Sequence, residues 1–448
     1  MYAADPMSKF KGALAMGVPG ELAGLHAAWS SYGRLPWKSL FVAAIELARD
    51  GYTIVPFVAN ALKAVEANVL ADPGLRAVFA SEGQVLVAGA LYRSPAFADA
   101  VAEHGISLLY GGAVGERLVE DGGGELRFAC QCHGVHLPWH AAAVQRHRRH
   151  GTGVEHLGWV QVGGVSVFLR GFLGVHRLIE AVKHMLAVRM DLGDPGFVNA
   201  TGIVSEMLSP AFADKVRQRI ADNTTFPPAY YLPKWSQLRD NGTSHLCVVD
   251  GDRNAVATTT TTVNYYFGAQ VLSPSTGIVL NNEMDDFSVP SSYPTPDHLP
   301  PAPANFITEE KRPLSSMTPT IILKDGQLAG VVGASGGTNI IAAVTQVFLN
   351  HFVLGMNPLA AVQSPRVYHS LVPSVVRYED ETVVDGEVIE LKAEAREFLR
   401  QKGHVLKGTV WSAVCQMIVQ DLKAPVSSGS ENVFHGMLTA VSDPRKDG

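Results

Sequence analysis

The sequence predicts an α+β fold in which sheets are covered by helices, rather than a regular alternation of strand and helix. Three observations carry this. Apolar residues recur at helical spacing through much of the first half. After Gly242 the chain turns β-like, rich in Thr, Val and Tyr. Two amphipathic helices, near 340–352 and 390–402, then sit among those strands.

Taken in order, Pro19-Gly20 opens a helix through Leu22, Leu25 and Trp29 that Gly33 closes. Pro36 stands at a first helical turn, followed by Phe41, Ile45 and Leu47 before Gly51. His176 to Met190 places Ile179, Val182, Leu186 and Arg189 at helical spacing. Ser209-Pro210 caps a helix through Phe212 and Val216. Beyond Gly242, His245–Val249 and Asn254–Tyr266 are strand-like. Gly277–Leu280 and Thr320–Leu323 look like buried strands. Asp325-Gly326 is a hairpin turn leading to Leu328–Val332. Val289 to Pro303 holds six prolines and forms a loop.

The 448 residues are 47% hydrophobic and 17% charged, which supports a large core. A formal charge of −6 and the lack of a basic stripe argue against a nucleic-acid partner. No apolar run reaches transmembrane length, and no signal peptide opens the sequence. Four cysteines are too few for a disulfide scaffold, and Cys247 and Cys415 read as buried thiols.

Gly122 to Gly171 breaks the pattern. It holds Cys130, Cys132 and six of the sixteen histidines, between His133 and His156. Cys130-x-Cys132-His133-x2-His136-x3-His140 suggests a zinc-binding module, but Cys-x-Cys is tight and no second ligand pair follows. The stretch reads as a disordered or mistranslated insert.

Chemistry concentrates around Thr243. A threonine hydroxyl needs a base, and one source is its own α-amine, freed when the chain is cut before it. Gly242 suits such a cut. Downstream, Thr262 and Asn264 share one strand face. Asn281–Phe287 carries Glu283, Asp285 and Asp286, suited to an ammonium group. Ser315 and Ser316 offer adjacent hydroxyls. Gly336-Gly337 joins a strand to a helix and can present backbone N–H groups to an oxyanion. A phosphate loop is excluded there because no Lys-Ser/Thr follows the glycines.

In that order and spacing the chain resembles the γ-glutamyltransferase (glutathione hydrolase) family of N-terminal nucleophile hydrolases. The resemblance covers 243–448, ending in Ser442-Asp443-Pro444-Arg445, and roughly 1–120 and 171–242. It implies a four-layer αββα sandwich, incomplete at the N-terminus, with 1–242 as a large-subunit remnant and 243–448 as the small catalytic subunit. It implies Thr243 as nucleophile and Thr262 as its hydrogen-bonding hydroxyl. Asn264, Glu283 and Asp286 would hold the substrate α-amine, Ser315 and Ser316 its α-carboxylate, and Gly336 and Gly337 the oxyanion. The implied reaction passes the γ-glutamyl group of glutathione or its conjugates to water, amino acids or peptides, without cofactor or metal. The implied form is a two-subunit enzyme cut from one precursor. The implied place is extracellular, plasma-membrane-associated or vacuolar.

Three departures stand out. Met1 aligns inside the large subunit, so a carboxylate-binding arginine is missing, and no arginine here is expected to replace it. Such a loss costs about 2–4 kcal/mol in substrate binding. Gly122–Gly171 stands where the family has a Pro/Ser/Gly-rich segment. Thr258–Thr262 is one residue longer than expected, which leaves the choice between Thr261 and Thr262 to strand register. An inactive truncated homologue or an incomplete gene model is the alternative.

Overall fold

A computed structural model describes residues 2, 5–104, 113–121, 171–236, 242–260, 266–290, 299–380, 382–384, 387–410, 413–428 and 434–446. The expectations placed on 122–170, Thr262 and Asn264 lie outside these residues.

Helix α1 (Glu21–Tyr32) runs between Gly20 and Gly33, as the glycine and proline punctuation predicts. Its apolar side enters no large core, for none of its residues is buried. Trp29 instead meets Trp37, with ring centroids 5.5 Å apart. A second helix, Val42–Asp50, ends at Gly51. The long helix α2 (Gly171–Arg189) buries Ile179 and Leu186 alongside a row of polar residues, His176, Glu180, Lys183, His184 and Arg189. The Pro210–Arg219 helix is capped by Ser209, whose Oγ accepts from Phe212 N–H at 3.1 Å.

The second half carries the larger sheets, the first half only two two-stranded ones among the described residues. Strands β1 (Ser244–Val249) and β2 (Ala255–Thr260) form an antiparallel ribbon. β3 (Thr320–Lys324) and β4 (Gln327–Ser335) form the hairpin expected at Asp325-Gly326. β5 (Val367–His369), β6 (Val376–Glu379) and β7 (Leu406–Thr409) make a three-stranded sheet in the order β7-β6-β5. β8 (Val414–Ser428) and β9 (Phe434–Val441) complete a four-stranded antiparallel sheet, β9-β8-β4-β3.

Strand β4 shows why the layers stack. Its even positions, Val332 and Ala334, face helix α3 (Asn339–Phe348) and pack with Ala343, Val347, Cys415 and Met417. Its odd face meets the β1–β2 ribbon. Helix, sheet and ribbon thus lie in three successive layers of an α+β sandwich. The C-terminus is locked beneath by buried ion pairs, Arg366 to Asp443 at 2.6 Å and Arg445 to Glu379 at 2.7 Å.

Three expectations need correction. Gly277–Leu280 is not a regular strand: it folds back onto 269–273 (Ser273 N–H to Ile278 O, 2.9 Å; Leu280 N–H to Val271 O, 2.9 Å), but the pairing is only an isolated bridge between Leu272 and Val279. The helix expected from Glu390 starts at Ala393, since Leu391 N–H is still bonded to Glu379 O at 3.0 Å. Cys415 is buried as expected, but Cys247 is only half-buried.

Candidate active site

The site begins with a glycine contact. Any side chain at Gly333 would place its Cβ 2.1 Å from the His245 ring, so glycine alone lets β1 settle onto β4 there. The imidazole is held by Thr259 Oγ1 at 2.8 Å from Nδ1, and burial pushes its pKa down to about 4.

The ribbon's other end fixes its direction. Arg253, in the β1–β2 turn, donates to Gln420 Oε1 at 2.5 Å, and Gln420 Nε2 donates to Leu328 O at 2.7 Å. The turn therefore lies over the start of β4, and β1 runs antiparallel above it. Thr243, just before β1, overhangs the far end of β4, where Gly336 and Gly337 lead into α3.

At that end Thr243 is half-buried, and its Oγ1 donates to the carbonyl oxygen of Gly242. The hydroxyl thus rests against the carbonyl of the peptide bond that precedes it. Gly336 and Gly337 adopt φ +131° and +59°. Neither N–H has a partner among the described residues. The only thiol on the ribbon is no rival nucleophile: burial pushes Cys247 up to about 12.

The acidic turn is held from the N-terminal segment. Asn281 exchanges two hydrogen bonds with the Gly17 backbone, both 2.9 Å. Lys9 Nζ donates to the carbonyls of Asp285 (2.8 Å) and Phe287 (2.6 Å) and pairs with the Asp285 carboxylate at 3.3 Å. Four residues beyond Gly17, Glu21 accepts from Thr260 Oγ1 at 2.9 Å, opposite Ser244 in the ribbon. At most about 14 Å of chain therefore separates the acidic turn from the ribbon end that carries Thr243.

The serine turn is held from α2 and the loop after it. Asp194 accepts from Arg312 N, Nε and Nη2 at 2.8–2.9 Å. Burial raises its carboxyl pKa, but the Arg312 and Gly196 hydrogen bonds outweigh that and bring it down to about 2. Arg189, buried, donates to Ser316 Oγ at 2.7 Å.

One side chain joins the two turns. Asn305, wholly buried, donates from Nδ2 to Asp286 O at 2.7 Å and accepts from Leu314 N–H at 2.9 Å. Asn305 thereby ties the acidic turn to the serine turn, and the direction of β1 over β4 points Thr243 toward the end of β4 that leads to Gly336 and Gly337. Thr262 and Asn264 fall outside the described residues. Sequence reasoning missed Lys9, Arg189, Asp194 and Asn305. The fold brings one arginine, Arg189, to Ser316 across 127 residues.

A second polar cluster lies in α2. His176, Glu180 and His404 are buried with ligand-type atoms within 4.8 Å. They already satisfy one another and their neighbours. His176 bonds His404 and Ala221 O, both at 2.8 Å, while Glu180 accepts from Thr225 (2.6 Å) and Tyr231 (2.5 Å). A cation there would have to break these bonds and sit beside Lys183, which lies 3.1 Å from Glu180.

A sequence model described as gamma-glutamyltranspeptidase matches residues 1–127 and 162–448. Glutathione hydrolase 3 of Arabidopsis thaliana is 50% identical over the whole of this chain, which spans 75% of that protein. Glutathione hydrolase 2 of the same plant is 45% identical, again over the whole chain and 80% of its own length. Among solved structures, cephalosporin acylase from Bacillus halodurans superposes with a TM-score of 0.71 over 98% of this chain and 78% of its own, at 21% identity. That likeness bears on the fold alone.

Proposed function

Because the chain belongs to the γ-glutamyltranspeptidase family, we propose that Thr243 is its nucleophile, first against its own backbone and then against substrate. The activity is cleavage of the γ-glutamyl amide bond of glutathione. The observation that carries the assignment of Thr243 is its hydroxyl on the Gly242 carbonyl, at the end of β4 where two glycine N–H groups stand without described partners.

In the uncut chain Oγ1 attacks the Gly242 carbonyl carbon. The C–N bond breaks, nitrogen takes the proton, and an ester links Gly242 to Thr243. That break has freed the α-amine of Thr243, and water then hydrolyses the ester, releasing the Gly242 carboxylate and restoring the Thr243 hydroxyl. In turnover that amine takes the hydroxyl proton as Oγ1 attacks the γ-carbonyl of the substrate. Gly336 and Gly337 N–H groups receive the developing oxyanion. The proton passes to the departing amine, leaving a γ-glutamyl ester on Thr243. Water releases glutamate, and an amino acid or dipeptide amine in place of water completes a transfer. Glu283, Asp286 and Asn264 take the substrate ammonium, while Ser315 and Ser316 take its carboxylate. Thr262 supports the nucleophile.

The test is Thr243→Ala. The native chain is expected to resolve on a denaturing gel into pieces 1–242 and 243–448. The variant is expected to stay whole and to lose about 10⁴-fold or more in kcat on a γ-glutamyl anilide. An uncut native chain with full turnover, or a variant that still cleaves substrate, overturns the assignment.

A further inference from the structure

We propose that Arg189, acting through Ser316, sets the charge and hydroxyl direction of the subsite that takes the substrate α-carboxylate; this rests on the function proposed above. Arg189 is the last residue of α2, only 4% exposed, with Nη2 2.7 Å from Ser316 Oγ. A guanidinium has donors and no acceptor, so this bond must use a lone pair of the serine oxygen. The serine proton is then left to donate elsewhere. Among the described residues it has no acceptor. A carboxylate accepts hydrogen bonds and donates none, so it completes this arrangement, whereas a neutral amide or an ammonium does so less well or not at all.

Charge points the same way. Arginine stays protonated at any working pH, so its guanidinium places a permanent positive charge one hydroxyl behind the subsite. The neighbouring carboxylate, Asp194, is occupied by Arg312 and by Gly196 N–H. Across Asn305 lies the acidic turn, with Lys9 stationed behind it. An amino acid zwitterion lying across Asn305 would put its ammonium on one side and its carboxylate on the other. Arg189 contacts a subsite hydroxyl rather than the reacting atoms, so it is a positioning residue that confers specificity.

The experiment compares γ-glutamyl p-nitroanilide with 4-aminobutyryl p-nitroanilide, which lacks only the α-carboxylate. Native enzyme and the variants Arg189→Met, Arg189→Lys, Ser316→Ala and Arg189→Met/Ser316→Ala are assayed alongside. Arg189→Met is expected to raise KM for the γ-glutamyl substrate about 10- to 100-fold, with kcat changed far less and the 4-aminobutyryl substrate unaffected. Arg189→Lys restores part of the lost affinity. In the Ser316→Ala background the arginine change adds little. Equal losses on both substrates mean a purely structural role and overturn the proposal, as does an unchanged KM. If Arg189→Met does not fold, Arg189→Lys carries the same comparison, and its KM must rise for the γ-glutamyl substrate alone. A native enzyme that turns over no γ-glutamyl anilide refutes the proposed function instead. The subsite is then read by calorimetric titration with L-glutamate against 4-aminobutyrate. A preference for glutamate that disappears in the arginine variants supports the inference, and no preference in the native chain overturns it.

Discussion

The acidic turn and the serine turn lie on either side of one asparagine, yet they are held in different ways. The acidic turn, 281–287, is gripped mainly by its backbone. Lys9 and Asn305 bond its carbonyls, and the Asn281 side chain locks onto Gly17. The Asp285 carboxylate also pairs with Lys9. The serine turn, 312–316, is gripped through side chains. Arg312 reaches Asp194, and Ser316 receives Arg189. In both cases the groups assigned to substrate come from the second half of the chain and their outer anchors from the first. The difference teaches that a turn offering negative charge needs a cation behind it to gather its carboxylates, whereas a turn offering hydroxyls needs a donor that directs their protons.

The strongest way to break this comparison is to remove the cation behind the acidic turn. Lys9→Met removes the ammonium that pairs with the Asp285 carboxylate, whose side chain is 1% exposed. Removing one partner of a buried pair costs about 3–5 kcal/mol. Denaturant unfolding of the variant is expected to show a loss of that size. KM should rise for γ-glutamyl and 4-aminobutyryl anilides alike, since both carry the ammonium group. A variant of native stability would show that the turn holds itself, and the comparison would fail.

A smaller effect is expected at the shared asparagine. Asn305→Ala removes two hydrogen bonds of a wholly buried amide, to Asp286 O and from Leu314 N–H. A buried polar group left unpaired costs about 1–3 kcal/mol. Because the residue serves both turns, ammonium and carboxylate selectivity should weaken together. If only one selectivity changes, the turns are positioned independently, and the picture of a zwitterion spanning them loses its support.

Which parts were legible in the sequence follows from distance along the chain. Thr243, Glu283, Asp286, Ser315, Ser316, Gly336 and Gly337 sit in motifs a few residues long, each weak alone, and the order of those motifs is what singles them out. The long helix over 171–189 and the helix behind Ser209 were legible because periodicity and caps are also local signals. Lys9 bonds carbonyls 276 and 278 residues away, so nothing near Lys9 hints at its task. Gly333 looks like an ordinary strand glycine until the His245 ring is laid on it. Gly277–Leu280 has a strand's composition, and the turn at Ser273 folds it back onto 269–273, but the pairing stays too short to be more than an isolated bridge. Helix α1 has a helical repeat and correct boundaries, yet the repeat alone could not tell that its apolar side would stay outside a large core.

Acid gives the mildest and most local way to sharpen the comparison. The serine turn hangs from α2, and α2 is backed by histidines that the acidic turn lacks. Burial pushes His184 down to about 4, with Arg219 and Lys183 adding to the effect and Glu180 opposing it. Burial likewise pushes His404 down to about 3, with Lys183 and His176 beside it. His369 is held well below its usual range by burial and by Lys183, His404 and Arg377. An unfolded histidine titrates near 6.5. Between that value and about 4 the unfolded chain therefore binds more protons than the folded one, so stability is complete above pH 6.5 and falls as pH falls. Each such histidine contributes a slope of at most about 1.4 kcal/mol per pH unit. Lowering the pH from 7 to 5 stays above the ordinary carboxylate range, so histidines dominate the response. Amide hydrogen exchange, corrected for intrinsic rates, is then expected to accelerate first in α2 and in 312–316, while 281–287 keeps its protection. Earlier loosening of 281–287 would mean that the Lys9 anchor, and not the histidine-backed helix, is the weaker of the two.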